Sequence, residues 1–151
     1  MSSALASLAA VKDEVQAMVD RETAAWNTGD AEALVDLFHT DAVWPWPPDP
    51  SAHDPVHWVM PLGRFNRERW TTSWEALFST HELVHNHRNT LRIEVSEQLD
   101  GAFAIVDVDT LWRHKQSKAL THWLGRACKV YTLTNGRWLF IHQTGLLVYP
   151  S

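Results

Sequence analysis

Residues 26–48 read WNTGDAEALVDLFHTDAVWPWPP, and this one stretch closes a helix, opens a second and begins a strand. Gly29 suits the left-handed residue that ends a helix, and Asp30 is placed to cap the next. Leu34, Val35, Leu37 and Phe38 give that second helix an apolar stripe. A short strand follows, Ala42 to Trp46, and Pro45, Pro47 and Pro48 stop regular structure within it or just beyond.

Upstream, Leu5, Leu8, Val11, Val15, Met18, Glu22 and Trp26 recur at spacings of three and four, which predicts one amphipathic helix from near the start to about Asn27. Downstream, PPDPSAHDPVHWVMPLG is an irregular loop of unusual length, and such loops inside a compact domain tend to be functional or mobile. Gly63 to Phe78 resumes a helical pattern with Trp70, Trp74, Leu77 and Phe78 on one side. From His81 the period changes to two in four long runs: His81 to Glu97, Gly101 to Lys115, Lys118 to Thr134 and Gly136 to Tyr149. Leu99-Asp100-Gly101 and Asn135-Gly136 are hairpin chemistry, because Asn and Gly accept the positive φ that matches strand twist. Helices first and adjacent strands afterwards predict an α+β fold, with helices against one face of a curved antiparallel sheet.

The chain has 151 residues, enough for one well-developed core, and residues 1–151 are expected to form a single domain. A formal net charge of -5 gives no basic footprint for nucleic acid, and the local cluster Arg64, Arg67 and Arg69 reads as a solvated helix face. Cys128 is the one cysteine, which rules out an internal disulfide framework and fits a reducing compartment; its apolar surroundings predict a buried structural thiol. The start, MSSALASLAAVKDEV, lacks a basic n-region, and no apolar run approaches the ~20 residues of a membrane span, so no membrane association and a cytoplasmic location are expected. Nine Trp against two Tyr point to a large core, a flat pocket wall or a subunit interface.

The segments ETAAWNTGDAEALVDLFHTDAVW and LGRACKVYTLTNGRWLFIHQTG, set in the order helix, helix, short strand, helix and four long strands, resemble the nuclear transport factor 2-like superfamily, also called SnoaL-like or ketosteroid-isomerase-like. The resemblance implies a cone-shaped, cystatin-like roll: a strongly bent sheet wraps over the helices and leaves a pocket at the open end. It covers isomerases, dehydratases and non-catalytic proteins alike, so it fixes no reaction. In ketosteroid isomerases the base lies a few residues past the DA dipeptide that opens the first strand. That pattern, laid over Asp41-Ala42-Val43-Trp44-Pro45-Trp46, places Trp46 where the carboxylate would be, and Asp49 and Asp54 stand too far along to match. An indole cannot accept a carbon-bound proton.

Strand alternation sorts the remaining polar candidates. His85, His87 and Asn89 share a side with Leu83, Leu91, Ile93 and Val95, which reads as the inner face; Asn86, Arg88 and Thr90 then face away. His122 and Arg126 group with Leu124, Cys128 and Val130, and His142 groups with Trp138 and Phe140, both again inward. The facing of Asp107 and Asp109 stays open. The expected site is therefore a concave surface with His87 and His142 as acid and base, Asp109 orienting one of them, and Trp46, Trp58, His85, Asn89, His122 and Arg126 binding a ligand. His85-Asn86-His87 is similar to the HxH of metal-binding cupins, but Glu94 comes too late for a third ligand and a helical front half is wrong for a cupin; no metal and no cofactor are expected. The leading expectation is a cofactor-independent dehydratase or isomerase of a small, partly apolar metabolite. The rival is a non-catalytic ligand-binding module, and a homodimer through the outer sheet face is expected in both cases.

Overall fold

The computed structural model describes residues 2–147, with side chains from 7 to 147. Helix α1 (Ser2–Thr28) ends at Gly29, whose φ of +64° is the left-handed conformation predicted for it. Asp30 caps α2 (Ala31–Val35) by accepting from the Ala33 N–H at 3.0 Å. The second helix is shorter than its apolar stripe implies, because β1 (Phe38–Val43) already begins at Phe38. Phe38 pairs in parallel with Phe140, and the Phe140 N–H donates to Leu37 O at 2.8 Å, so sheet pairing claims residues whose spacing also fits a helix. Trp46 lies beyond the strand and forms an isolated antiparallel bridge with Val59. That bridge ties both ends of the proline-rich segment together.

Helix α3 (Arg67–Thr80) starts later than Gly63, because Gly63 takes a φ of +65° and Asn66 supplies the cap. The strands β2 (His81–Val95), β3 (Gly101–His114), β4 (Leu120–Thr134) and β5 (Arg137–Leu147) follow with bounds close to the predicted runs; Tyr149 lies outside the described residues. The sheet order is β1-β5-β4-β3-β2, with every pair antiparallel except β1 with β5. It is an unclosed, curved, mixed sheet over N-terminal helices, an α+β fold. Among the described residues no helix is long and apolar enough to cross a membrane. Arg67 reaches Glu32 and Asp36 at 2.7 Å each, which joins α3 to α2 across a solvated surface.

The core lies between the sheet and the three helices. Ala102, Ala104, Val106, Val108 and Trp112 of β3 are buried there, so Asp107 and Asp109 face outward. Trp26 is 2% exposed and meets Trp74, Trp112 and Trp123 edge to face at 5.4 to 6.5 Å, which anchors α1 to α3 and the sheet.

Three register shifts decide which side chains face inward. They fall between Leu83 and His85, between Thr90 and Arg92, and at Val130/Tyr131, opposite Ile141. Each inserts one residue and inverts the alternation that follows. Leu83 and Ile93 stay on the inner face opposite Trp112 and Ala104, but between the two bulges of β2 the order reverses. Asn86, Arg88 and Thr90 face Thr110, Val108 and Val106 of the inner row, whereas His85, His87 and Asn89 face Leu111, Asp109 and Asp107 of the outer row. On β5, Trp138 and Phe140 are buried, and the bulge then turns His142 outward opposite Val130 and Gln143 inward opposite Lys129. On β4 the inner row is Gly125, Ala127, Lys129 and Tyr131, so His122, Arg126 and Cys128 are outward as well.

Candidate functional site

A cavity of about 330 Å³ lies between the inner sheet face and the helices, and none of its lining residues is a histidine. Its walls are indoles: Trp26 from α1, Trp44 and Trp46 from the end of β1, Trp74 from α3 and Trp123 from β4. Two strand glycines make room for Trp46. A Cβ on Gly145 would stand 2.5 Å from Arg126 O and 2.8 Å from the Trp46 ring, and one on Gly125 would stand 2.8 Å from Leu146 O. Glycine at both positions lets the edge of the indole's six-membered ring come close to the strands.

The floor is charged. Glu22, Arg88, Lys129 and Gln143 line it, with the Glu22 and Lys129 side chains each 1% exposed. Lys129 Nζ donates to Glu22 Oε1 at 2.7 Å and to Gln143 Oε1 at 3.0 Å. Trp26 Nε1 donates to Glu22 Oε2 at 3.0 Å, and Arg88 Nη1 stands 3.7 Å from the same oxygen. Arg88 also donates to Asn86 at 2.8 Å and to Thr110 at 3.2 Å, which fixes the guanidinium plane. Burial alone would raise the Glu22 carboxyl; Lys129 and then Arg88 outweigh it and hold the group below its ordinary value. Burial pushes Lys129 below the usual lysine range against the opposing pull of Glu22, and it lowers Arg88 in the same way. One carboxylate faces two cations, so the floor carries an excess positive charge inside an apolar box.

The histidines predicted for a concave site lie on the other side of the sheet. His85 and His122 both meet Asp109 Oδ1 through Nε2, at 2.8 and 2.6 Å, and His87 stacks on His85 with ring centroids 4.8 Å apart. Arg126 grips Asp107 with two hydrogen bonds, at 2.7 and 3.2 Å, and Asn89 stands opposite that aspartate. His142 is remote from this group. It pairs with Val130 on β4, while His87 lies in the row of Asp109 and Leu124. Three strand spacings and six residues therefore separate His87 from His142, about 14 Å across the sheet and about 20 Å along it. Within one chain the two imidazoles cannot act on the same substrate atom.

Of the predicted binding residues Trp46 lines the cavity, whereas Trp58 does not and donates its indole N–H to Ala52 O at 2.9 Å. Asp49 accepts from Ser51 and Asp54 caps the short 3-10 turn Pro55–His57, so both loop carboxylates hold turns. Cys128 is only partly buried on the outer face, in contrast to the core thiol expected; burial raises it above its ordinary value and Lys129 opposes this, which leaves a poor nucleophile. Sequence reasoning missed Glu22, Arg88, Lys129 and Gln143. The signal for Glu22 was present, since a carboxylate interrupting the apolar stripe of α1 needs a buried cation.

The family model described as a SnoaL-like domain matches residues 8–144. The chain belongs to the SnoaL-like family. Solved structures with the same fold include a conserved protein from Planctomyces limnophilus, at 16% identity and a TM-score of 0.73 over 92% of this chain and 97% of that one. A ketosteroid isomerase-like protein from Erwinia carotovora atroseptica superposes with a TM-score of 0.68 at 14% identity, covering 91% and 96% of the two chains. A candidate scytalone dehydratase from Novosphingobium aromaticivorans gives 0.68 at 14% identity, over 96% and 87%. No curated protein matches the sequence. At these identities the structures show the shared fold alone and leave the reaction to the cavity itself.

Proposed function

We propose that the cavity binds a small, planar, partly apolar metabolite through an anionic or carbonyl oxygen, and that the protein isomerises or dehydrates it without a cofactor. One observation carries this reading: a tryptophan-walled cavity of about 330 Å³ has two cations and one carboxylate on its floor. The volume lies in the range of small-molecule sites, indoles stack on flat rings, and buried cations stabilise an oxyanion far better than water does. In this reading Lys129 and Arg88 hold the substrate oxygen as charge develops on it, and Glu22 is the proton acceptor. The expected roles of His87 and His142 pass to these residues. Names of structural neighbours such as ketosteroid isomerase-like and scytalone dehydratase are consistent with that reaction class.

A second reading, binding without turnover, has its own support. Both Glu22 oxygens are already engaged and the carboxyl is held below its ordinary value, which makes it a weak base. Tryptophan fluorescence titration with 2-naphthoate and its neutral amide tests the shared part: the acid binds more tightly, by roughly tenfold for one charge-assisted contact. Equal affinities, or no quenching by either, overturn it. Proton NMR of a bound aryl ketone in deuterium oxide then separates the readings, since exchange at the carbon beside the carbonyl that is lost in Glu22→Gln marks an enzyme and binding without exchange marks a carrier.

The reading also includes a homodimer. Phe103, Leu124 and Leu146 are large, exposed and on the outer sheet face, where a second copy of the same face would cover them. Light scattering at micromolar concentration that returns the mass of one chain ends this part.

A further inference from the structure

The outer face carries a cluster that the cavity does not use. His85 and His122 stand in one row across β3, each opposite Leu111, so their backbones are two strand spacings apart. Asp109 lies two residues along the middle strand on the same face, and both rings lean toward it. Their planes are perpendicular, at 90°, so the two Nε2 atoms reach the carboxylate from different directions. The three donor atoms all lie within 4.8 Å of one another. Only the Val84 bulge makes this arrangement, because without it His85 would point into the core.

We infer that His85, Asp109 and His122 form a divalent transition-metal site on the outer sheet face, separate from the cavity. Two imidazoles and one carboxylate are the donor set of zinc and its neighbours, which prefer this mixture of nitrogen and oxygen. A tetrahedral ion holds each donor at about 2.0–2.1 Å, and its ligand atoms then stand about 3.3 Å apart. The Nε2–Oδ1 distances of 2.8 and 2.6 Å must therefore open by about 0.5 and 0.7 Å while the donors, now within 4.8 Å of one another, draw in around the ion, changes that ring rotation on exposed side chains supplies. On binding, each imidazole changes from the tautomer whose Nε2–H donates to Asp109 to the one protonated on Nδ1, which frees the Nε2 lone pair for the ion in place of that hydrogen bond. Three neighbouring strands of one sheet hold the backbones, so little chain entropy is lost. In the single chain the side chains are 31%, 41% and 46% exposed, which leaves the remaining positions of the ion to water. The site is not the pair singled out from sequence: His87, the partner of His85 in the His-Asn-His motif, stacks on its ring instead of sharing an ion.

The test uses the full chain, titrated with zinc chloride by calorimetry and with cobalt chloride by visible absorption. One ion binds per chain with micromolar affinity, and nitrogen-detected imidazole spectra show the Nε2 atoms of His85 and His122 as the ones that change. His122→Ala and Asp109→Asn each weaken binding by roughly tenfold or more, comparable with the loss of a ligand's supporting partner, while His142→Ala leaves it unchanged. His85→Gln provides a further variant should one of these fail to fold. The inference is overturned if the wild type takes up no ion at millimolar concentration. It is equally overturned if the spectra assign the ion to other histidines, such as His81 and His114, whose ring centroids lie 5.0 Å apart, or if affinity survives in the His122→Ala variant.

Discussion

On the inner face Lys129 meets Glu22 at 2.7 Å with both side chains 1% exposed; on the outer face Arg126 meets Asp107 at the same 2.7 Å with side chains 35% and 25% exposed. The two pairs are alike in distance and belong to one sheet, yet they are different physical objects. The inner pair has lost its water, so the attraction within it is strong and the desolvation cost it offsets is large. The outer pair keeps much of its water and is open to salt. Distance alone says almost nothing about what either contributes; burial does.

The largest expected effect comes from the inner face. Glu22→Gln leaves Lys129 and Arg88 buried together with no carboxylate between them, and we expect a loss of about 3–5 kcal/mol in urea unfolding. Lys129→Met should cost less, because Glu22 keeps Arg88 at 3.7 Å as a counter-ion. If Lys129→Met is the worse of the two, the floor does not carry the excess positive charge assigned to it. Acid sharpens the same comparison. Glu22 is held below its ordinary value, so its contribution is fully present above the unfolded-state value near 4.5 and is lost as pH falls through the lower folded value. The difference in stability between wild type and Glu22→Gln should therefore shrink on acidification below about pH 4.5. Lys129 and Arg88 are also lowered, which for a cation favours the neutral folded form, so their contribution to stability rises as pH climbs from the lowered folded value toward the unfolded one.

The contrast between the faces also explains what the sequence could and could not disclose. Helix ends and turns were legible because each depends on one local residue: Gly29 with its φ of +64°, Asp30 as a cap, Asn135 and Gly136 with φ of 51° and 78°. The site was not legible, because it depends on parity along the strands. One extra residue at Val84, another at Leu91 and a third at Ile141 reverse the alternation on which His85, His87, Asn89 and His142 had been placed inside. None of the three is a glycine or proline that would announce a bulge. His122 and Arg126 went wrong for a different reason. Their strand is unbulged through that stretch, but Leu124, Cys128 and Val130 made its outer row look as apolar as its inner row of Gly125, Ala127 and Lys129. A surface that keeps apolar residues on both sides defeats the rule that polarity marks the outside.

The smallest expected effect lies on that outer row. Asp107→Asn keeps the shape and can still accept a hydrogen bond from Arg126, so it removes charge and little else. With both groups about a third exposed or somewhat less, we expect under about 1 kcal/mol in urea unfolding, falling further as salt is added. Glu22→Gln, by contrast, should lose much less of its effect as salt is added, since the charges it separates are buried. The pair of measurements separates screened from buried charge without reference to distance. It also bears on what covers the outer face. A chain that stands alone in solution leaves Asp107 and Arg126 to water, and the small, salt-dependent loss follows. If Asp107→Asn instead costs as much as Lys129→Met and ignores salt, the outer pair is dry in solution, and a second copy against Phe103, Leu124 and Leu146 is the surface that dries it.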